Sequence, residues 1–329
     1  MSTVAESLAR TLPESMQSYL QWVALQKHLS TKTCENYARD LHLLMQMAQK
    51  NQWHEVHALT PHHIRQMIMQ LHSQAHSPKS IARYLSSWRS YFRWMVLERG
   101  LALNPVQGIR APKAAKSLPK ALSVDDAVRL AGTNTAAAGL QGVKPELLAR
   151  DHALIELLYS SGLRVSEIVA LDIVPPNQHT PSEQQGDGWL DLTELQVHVL
   201  GKGSKPRIVP VGTPAAQAVR SWLDVRATVK GAARTPALFI GQNGTRLTTR
   251  SVQLRLGKYA QALGLPVHVH PHMLRHSFAT HILQSSGDLR AVQEMLGHAN
   301  LSATQIYTAL DFQHLAKIYD AAHPRAKKK

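Results

Sequence analysis

The sequence predicts a mainly α-helical protein: an all-helical amino-terminal domain, then a mainly helical carboxyl-terminal domain with a small antiparallel β-sheet. Three observations carry this expectation. The chain has 329 residues, long for one hydrophobic core and comfortable for two. Its first hundred residues repeat apolar positions at helical spacing behind the Ser, Thr and Pro that start helices. Strand-like patterning is confined to two short apolar runs in the second half, joined by a glycine-flanked turn.

Taken in order, Ser30 stands where it can cap a helix on which Tyr37, Leu41, Leu44 and Ala48 share a face, and Thr60-Pro61 opens another. Ser77-Pro78 starts a third. On it Ile81, Tyr84, Leu85, Trp88, Phe92, Met95 and Val96 form an apolar stripe that stops before Gly100. Outside the stripe, Lys79 and Arg83, then Arg89 and Arg93, lie one turn apart as a basic face suited to phosphate contact. Over 101–123 the pattern breaks, and Pro105, Pro112 and Pro119 interrupt a stretch carrying Arg110, Lys113, Lys116 and Lys120. That composition describes a basic, semi-extended linker. The division expected is a domain at residues 1–105, a linker at 106–123 and a second domain at 124–329.

Beyond the linker, helices are expected over 147–161 and 165–171, then strands over 195–200 and 208–211 around the turn Gly201-Lys202-Gly203-Ser204-Lys205. The polar stretch 175–188, PPNQHTPSEQQGDG, reads as a surface loop. Helices return over 214–229, 248–263, 271–285 and 289–296, and a last one ends before Pro324. On that last segment Phe312, Leu315, Ile318 and Tyr319 recur at helical spacing, so the stripe must be buried somewhere, on its own domain or on a neighbour.

The 37 Lys and Arg against 22 Asp and Glu give a formal charge of +15, a surplus suited to a polyanion, and nucleic acid is the leading partner. An anionic membrane surface would call for a basic amphipathic helix or a lipid anchor, and the opening MSTVAESLAR offers neither. No secretory signal is read there, and apolar runs such as 153–159 are too short to span a bilayer. The one cysteine, Cys34, cannot form an internal disulfide, so a reduced, cytoplasmic protein is expected.

Three distant clusters share one chemical theme: Gly162-Leu163-Arg164-Val165-Ser166-Glu167, then 270–276 (HPHMLRH), then Leu296-Gly297-His298 with Tyr307 downstream. Together with Lys202 they supply what phosphodiester transfer without metal requires. Guanidinium forks stabilise the extra charge of a pentacoordinate phosphorus, a role that fits Arg164 and Arg275. Tyr307 needs a base, because forming its phenolate at neutral pH costs about 4 kcal/mol, and His272 is the candidate. Lys202 could protonate the leaving 5′ oxygen, and His298 could bond the phosphate. Each residue alone has an ordinary reading as surface charge, satisfied polar group or packing.

As an ordered set, GLRVSE, VLGKGSKPRIVP, HPHMLRHSFATH and LGHANLSATQIYT resemble the signature boxes of the tyrosine recombinase, or phage integrase, family. The amino-terminal helices resemble the family's SAM-like core-binding domain, and DFQHLAKIYDAAHPRA is similar to the tail of a branch that resolves chromosome dimers. The resemblance implies Tyr307 as nucleophile, Arg164 and Arg275 as phosphate clamps, Lys202 as general acid, His272 as base, His298 as phosphate partner and Glu167 as an acidic support. It also implies a double-stranded DNA site, a second recombinase in a heterotetramer, a septal DNA translocase as a further partner, and a tail docked on the neighbouring subunit. Two departures stand out: a longer 175–188 loop, and Pro206 where a charged residue is common.

Three other readings compete with this one. The 19 histidines, with His268, His270 and His272 alternating and His276 one turn on, suggest a metal enzyme, but no HExxH or cysteine ligand set accompanies them. A non-catalytic DNA-binding module is the second, and a type IB topoisomerase the third. No Walker motif is visible, so no nucleotide cofactor is expected.

Overall fold

The computed structural model describes residues 11–27, 31–53, 55–113, 121–132, 142–175, 185–201, 206–265, 269–297 and 309–326, with backbone alone for 309–313. Contacts divide the chain into two compact units, Met1–Ser117 and Leu118–Lys329. None of the described helices is long and apolar enough to cross a membrane.

The first unit is helical: α1 (Glu14–Leu25), α2 (Thr31–Lys50), α3 (Pro61–Ser73) and α4 (Pro78–Arg99). Its helix starts are those the sequence announces. Thr60 Oγ1 accepts the His63 N–H at 3.4 Å while His63 Nδ1 accepts the Thr60 N–H at 3.2 Å, and Ser77 Oγ accepts from Ser80 at 3.1 Å. Ser30 lies outside the described residues. The α4 stripe buries Ile81, Leu85, Trp88, Phe92 and Met95, and the helix also buries Tyr91 and Trp94 against Tyr19 of α1. A helix covered on two sides has a wider apolar face than one stripe.

Asp40 ties α2 to α4. Its carboxylate accepts from Ser87 Oγ at 2.7 Å and pairs with Arg83, while its carbonyl accepts the Trp88 indole N–H at 2.7 Å. Val106 and Ile109 pack into this same core, so the first residues of the proline-rich stretch are part of it.

The second unit comprises α5 (Val124–Gly132), α6 (Pro145–Ser161), α7 (Val165–Val169), β1 (Leu171–Asp172), β2 (Gly188–Asp191), β3 (Gln196–Leu200), β4 (Pro206–Pro210), α8 (Thr213–Arg226), α9 (Thr249–Ala262), α10 (Pro271–Ser286), α11 (Leu289–Leu296) and α12 (Ala309–Ala322). The sheet runs β1-β2-β3-β4, antiparallel from β2 to β4 with Trp189 opposite His198 and His198 opposite Ile208. The two-residue β1 adds a parallel pairing to the expected antiparallel sheet. Leu171, expected at a helix end, belongs to β1, and β2 lies at the close of the stretch read as loop. Both strands are too short for a period of two to show.

Helix α6 is buried on nearly every side. Its Ala153, Leu154, Leu157 and Leu158 share a core with Ala215, Ala216, Val219 and Trp222 of α8. Helix α12 packs on its own unit: Leu315, Tyr319 and Ala322 are buried with Phe278 and Ile282 of α10 and with Val292 and Met295 of α11. Of the two placements open to the stripe, on its own domain or on a neighbour, Leu315 and Tyr319 take the first in this single chain, and the Phe312 side chain lies outside the described residues. The apolar stripe finds complementary faces within its own chain, where no association entropy opposes the contact.

Candidate active site

Arg164 and Glu167 are placed by one short helix. Arg164 is the N-cap of α7 with extended backbone, and Glu167, three residues on, turns back so that its Oε2 accepts the Arg164 N–H at 2.8 Å. This is the reciprocal half of a capping box, which accounts for the Arg-x-x-Glu spacing. Glu167 Oε1 also accepts from Arg164 Nη1 at 2.6 Å.

Arg275 comes from the second turn of α10. Its Nη1 donates to the Gly162 carbonyl at 2.6 Å and its Nη2 to the Leu296 carbonyl at 2.5 Å. Gly162 ends α6 at φ +57°, and a Cβ there would overlap the Phe278 ring, so only glycine brings that carbonyl under Arg275.

The end of α11 is the meeting point. Arg164 Nη2 lies 3.5 Å from the Leu296 oxygen and 3.3 Å from that of Gly297. A helix leaves its last carbonyls without intrahelical partners and carries partial negative charge there, so guanidinium groups satisfy it well. The residue that follows Gly297 is His298.

A third arginine completes the group. Arg207 Nη1 and Nη2 donate to Glu167 Oε1 and Oε2 at 2.9 and 2.7 Å, and its Nε donates to the Met295 carbonyl at 3.2 Å. Sequence reading did not single it out. Its signal was there: Arg207 lies in phase with Val209 on β4, both buried, so a charge sits at an inward position of an apolar strand.

Exposure ranks the three. The Arg164 side chain is 28% accessible, Arg275 10% and Arg207 3%, so Arg164 is the most open to an incoming group and Arg207 the least. Burial, then the neighbouring Arg164 charge, draws the Arg275 guanidinium down to about 10, with Glu167 opposing. It stays charged at neutral pH. Burial alone would raise the Glu167 carboxyl, but the hydrogen bonds and charge of Arg207, followed by those of Arg164, hold it at about 2. Three guanidinium groups around one carboxylate leave positive charge in excess, which an anionic phosphate would relieve.

His272 is exposed on the first turn of α10, one turn before Arg275 on the same face. His270 serves the helix instead, accepting the Met273 N–H on Nδ1 at 3.2 Å as N-cap. Lys202, His298, Tyr307 and His268 lie outside the described residues. In the first unit, Lys79 and Arg93 are exposed on α4. Arg83 is committed to Asp40 and lies over the Tyr84 ring, and Arg89 donates to the Ile109 carbonyl at 2.8 Å.

The amino-acid sequence matches the Phage integrase family over residues 140–314 and the Phage integrase, N-terminal SAM-like domain, over residues 16–99. It is 50% identical over 319 residues to the tyrosine recombinase XerC of Ralstonia pickettii (strain 12J), covering 95% of this chain and 94% of that protein. The XerC of Alcanivorax borkumensis is 46% identical over 317 residues, with 96% and 95% covered. In fold, the chain is similar to XerH site-specific recombinase bound to palindromic difH substrate, with a TM-score of 0.65, 20% identity, and 96% and 87% covered. It is similar also to a lambda integrase dimer bound to a COC′ core site, with a TM-score of 0.60, 16% identity, and 89% and 98% covered. A match of both domains in order, at half identity along nearly the whole length, places this chain in the phage integrase family, as a tyrosine recombinase.

Proposed function

We propose that this tyrosine recombinase cuts and rejoins a specific double-stranded DNA site through a 3′-phosphotyrosine link on Tyr307, paired with a XerD-like recombinase in a heterotetramer that resolves chromosome dimers at cell division. The convergence of Arg164 and Arg275 on the Leu296 carbonyl carries the reading. Two cationic forks from distant segments meet at one point, beside the residue that precedes His298.

In this reading the Tyr307 hydroxyl oxygen attacks the scissile phosphorus and its proton passes to His272. Arg164 and Arg275 hold the non-bridging oxygens, with His298 beside them. The bond from phosphorus to the 5′ oxygen breaks, and Lys202 gives that oxygen its proton. Attack by a 5′ hydroxyl reverses the sequence and releases the enzyme, so the bond energy is kept in the phosphotyrosine link. Lys79 and Arg93 contact backbone phosphates through the first unit, with Arg83 and Arg89 beside them. The protein acts in the cytoplasm on chromosomal DNA, with a septal DNA translocase as a further partner.

A nicked suicide site, from which the cleaved end diffuses away, tests the proposal on denaturing gels. The intact protein should be trapped covalently on that DNA, and Tyr307→Phe should bind the site without being trapped. Capture by the Phe variant would reassign the nucleophile. Relaxation of supercoiled DNA without sequence choice would point to a topoisomerase instead.

A further inference from the structure

The geometry points to Arg207 as a positioning residue for strand cleavage: it holds the Arg164–Glu167 pair and the end of α11 in one fixed relation, so that both clamp arginines face the scissile phosphate. This rests on the reading of Arg164 and Arg275 above.

Arg207 touches three separate elements at once. From β4 it reaches Glu167 of α7 with two parallel N–H bonds and the Met295 carbonyl of α11 with a third. It also packs under Gly297, where an added Cβ would lie 3.0 Å from the Arg207 Cδ, at a backbone φ of +64° that favours glycine. Remove Arg207 and nothing among these contacts joins β4 to either helix end.

The geometry asks for arginine in particular. A guanidinium has five N–H donors in a planar fork, so one side chain can bridge both carboxylate oxygens and still donate to a third group. A lysine ammonium is a point donor and cannot span the pair. The consequence for Arg164 is direct, because it and Arg207 share Glu167 Oε1 at 2.6 and 2.9 Å. Without Arg207, Glu167 can draw Arg164 fully onto itself and away from phosphate. Arg275 is affected through the Leu296 carbonyl, one residue from the Met295 carbonyl that Arg207 holds. Arg207 itself, nearly inaccessible, meets no substrate.

The test uses the full chain and a suicide DNA site carrying either the ordinary phosphate or an uncharged methylphosphonate at the scissile position. Arg207→Ala and Arg207→Lys should bind the ordinary site about fivefold more weakly than wild type and cleave it, at saturating protein, about a hundredfold more slowly, the scale of a lost transition-state donor. In a Tyr307→Phe background the methylphosphonate should weaken binding about tenfold while Arg207 is present, and about twofold or less once it is replaced. That loss of charge discrimination is something a residue supporting only the fold would not produce. Should Arg207→Ala fail to fold, Arg207→Lys, which keeps a positive charge beside Glu167 without the planar fork, is read by the same assays. Cleavage within threefold of wild type, or unchanged charge discrimination in a folded variant, overturns the role of Arg207. Failure of the wild-type protein itself to be trapped on the site would instead sink the reading of function on which it rests.

Discussion

The Tyr319 hydroxyl lies 2.6 Å from Ser160 Oγ, and the same Oγ accepts the Gly212 N–H at 2.8 Å. Through this one serine the carboxyl-terminal helix is fastened to the core helix α6 and to the start of α8. A partly buried ion pair between Arg325, three residues past the helix end, and Glu156 ties the following segment to α6 as well.

The helix is therefore part of its own unit's core, and shortening it should cost stability. Tyr319→Phe should lower the unfolding free energy by about 1–2 kcal/mol, the cost of a buried hydrogen bond. Tyr319→Ala should lower it by about 3–5 kcal/mol, as for other large buried rings. Urea unfolding of the full chain measures both. An Ala variant as stable as wild type would mean that the helix does not pack in cis.

His323 should give stability an acid limb. Its ring stacks on Tyr319 at 4.9 Å, lies near Tyr159, and accepts the Arg325 N–H on Nδ1 at 3.1 Å. Burial first, then the nearby His281, holds it down at about 3, against 6.5 for the unfolded chain. Between those values the unfolded state binds a proton that the folded state does not. Stability from this group is therefore complete above pH 6.5 and falls as pH drops towards 3, by up to about 1.4 kcal/mol per pH unit. His281 is lowered by burial in the same direction and adds to the slope. Replacing His323 with Phe should flatten that limb in unfolding curves taken from pH 7 to 4, and an unchanged slope would assign the acid loss to other groups.

Salt dependence of DNA binding should separate the arginines and lysines of α4 by their commitments. Lys79 and Arg93 are exposed, whereas Arg83 holds the buried Asp40. Reversing Lys79 and Arg93 to Glu should reduce the slope of log affinity against log salt by about 2, one unit for each lost phosphate contact, with little change in melting temperature. Arg83→Ala should instead lower the melting temperature of the protein, because a buried carboxylate loses its counter-charge. A full slope with both reversals would place this face of α4 away from DNA.

Lys202 has a chemical signature of its own. A substrate whose 5′ bridging oxygen is replaced by sulfur needs little protonation on leaving, so Lys202→Ala should cleave it at nearly the wild-type rate while losing about 10²–10⁴-fold on ordinary DNA. Equal losses on the two substrates would remove the general-acid role.

What the sequence determined by itself are the features whose cause lies within three or four residues. Thr60, Ser77 and His270 cap the helices that follow them, and Glu167 folds back on the Arg164 N–H, because the partner in each case is three positions away. The stripe on α4 was legible for the same reason, since helical spacing alone says which face is apolar. The two distant arginines entered the reading through chemistry and family resemblance rather than through any local pattern. Tertiary structure alone decided what covers each face and which charges meet. It joined Arg207 to Glu167 and Arg83 to Asp40, brought Val106 and Ile109 into the first core, and laid Leu315 and Tyr319 of α12 on α10 and α11. Periodicity marks a surface for burial without naming its partner, and an inward-facing charge announces only that a counter-charge must exist. Which segment supplies it depends on how strands and helices distant in sequence are brought together, and that is fixed by packing of the whole core.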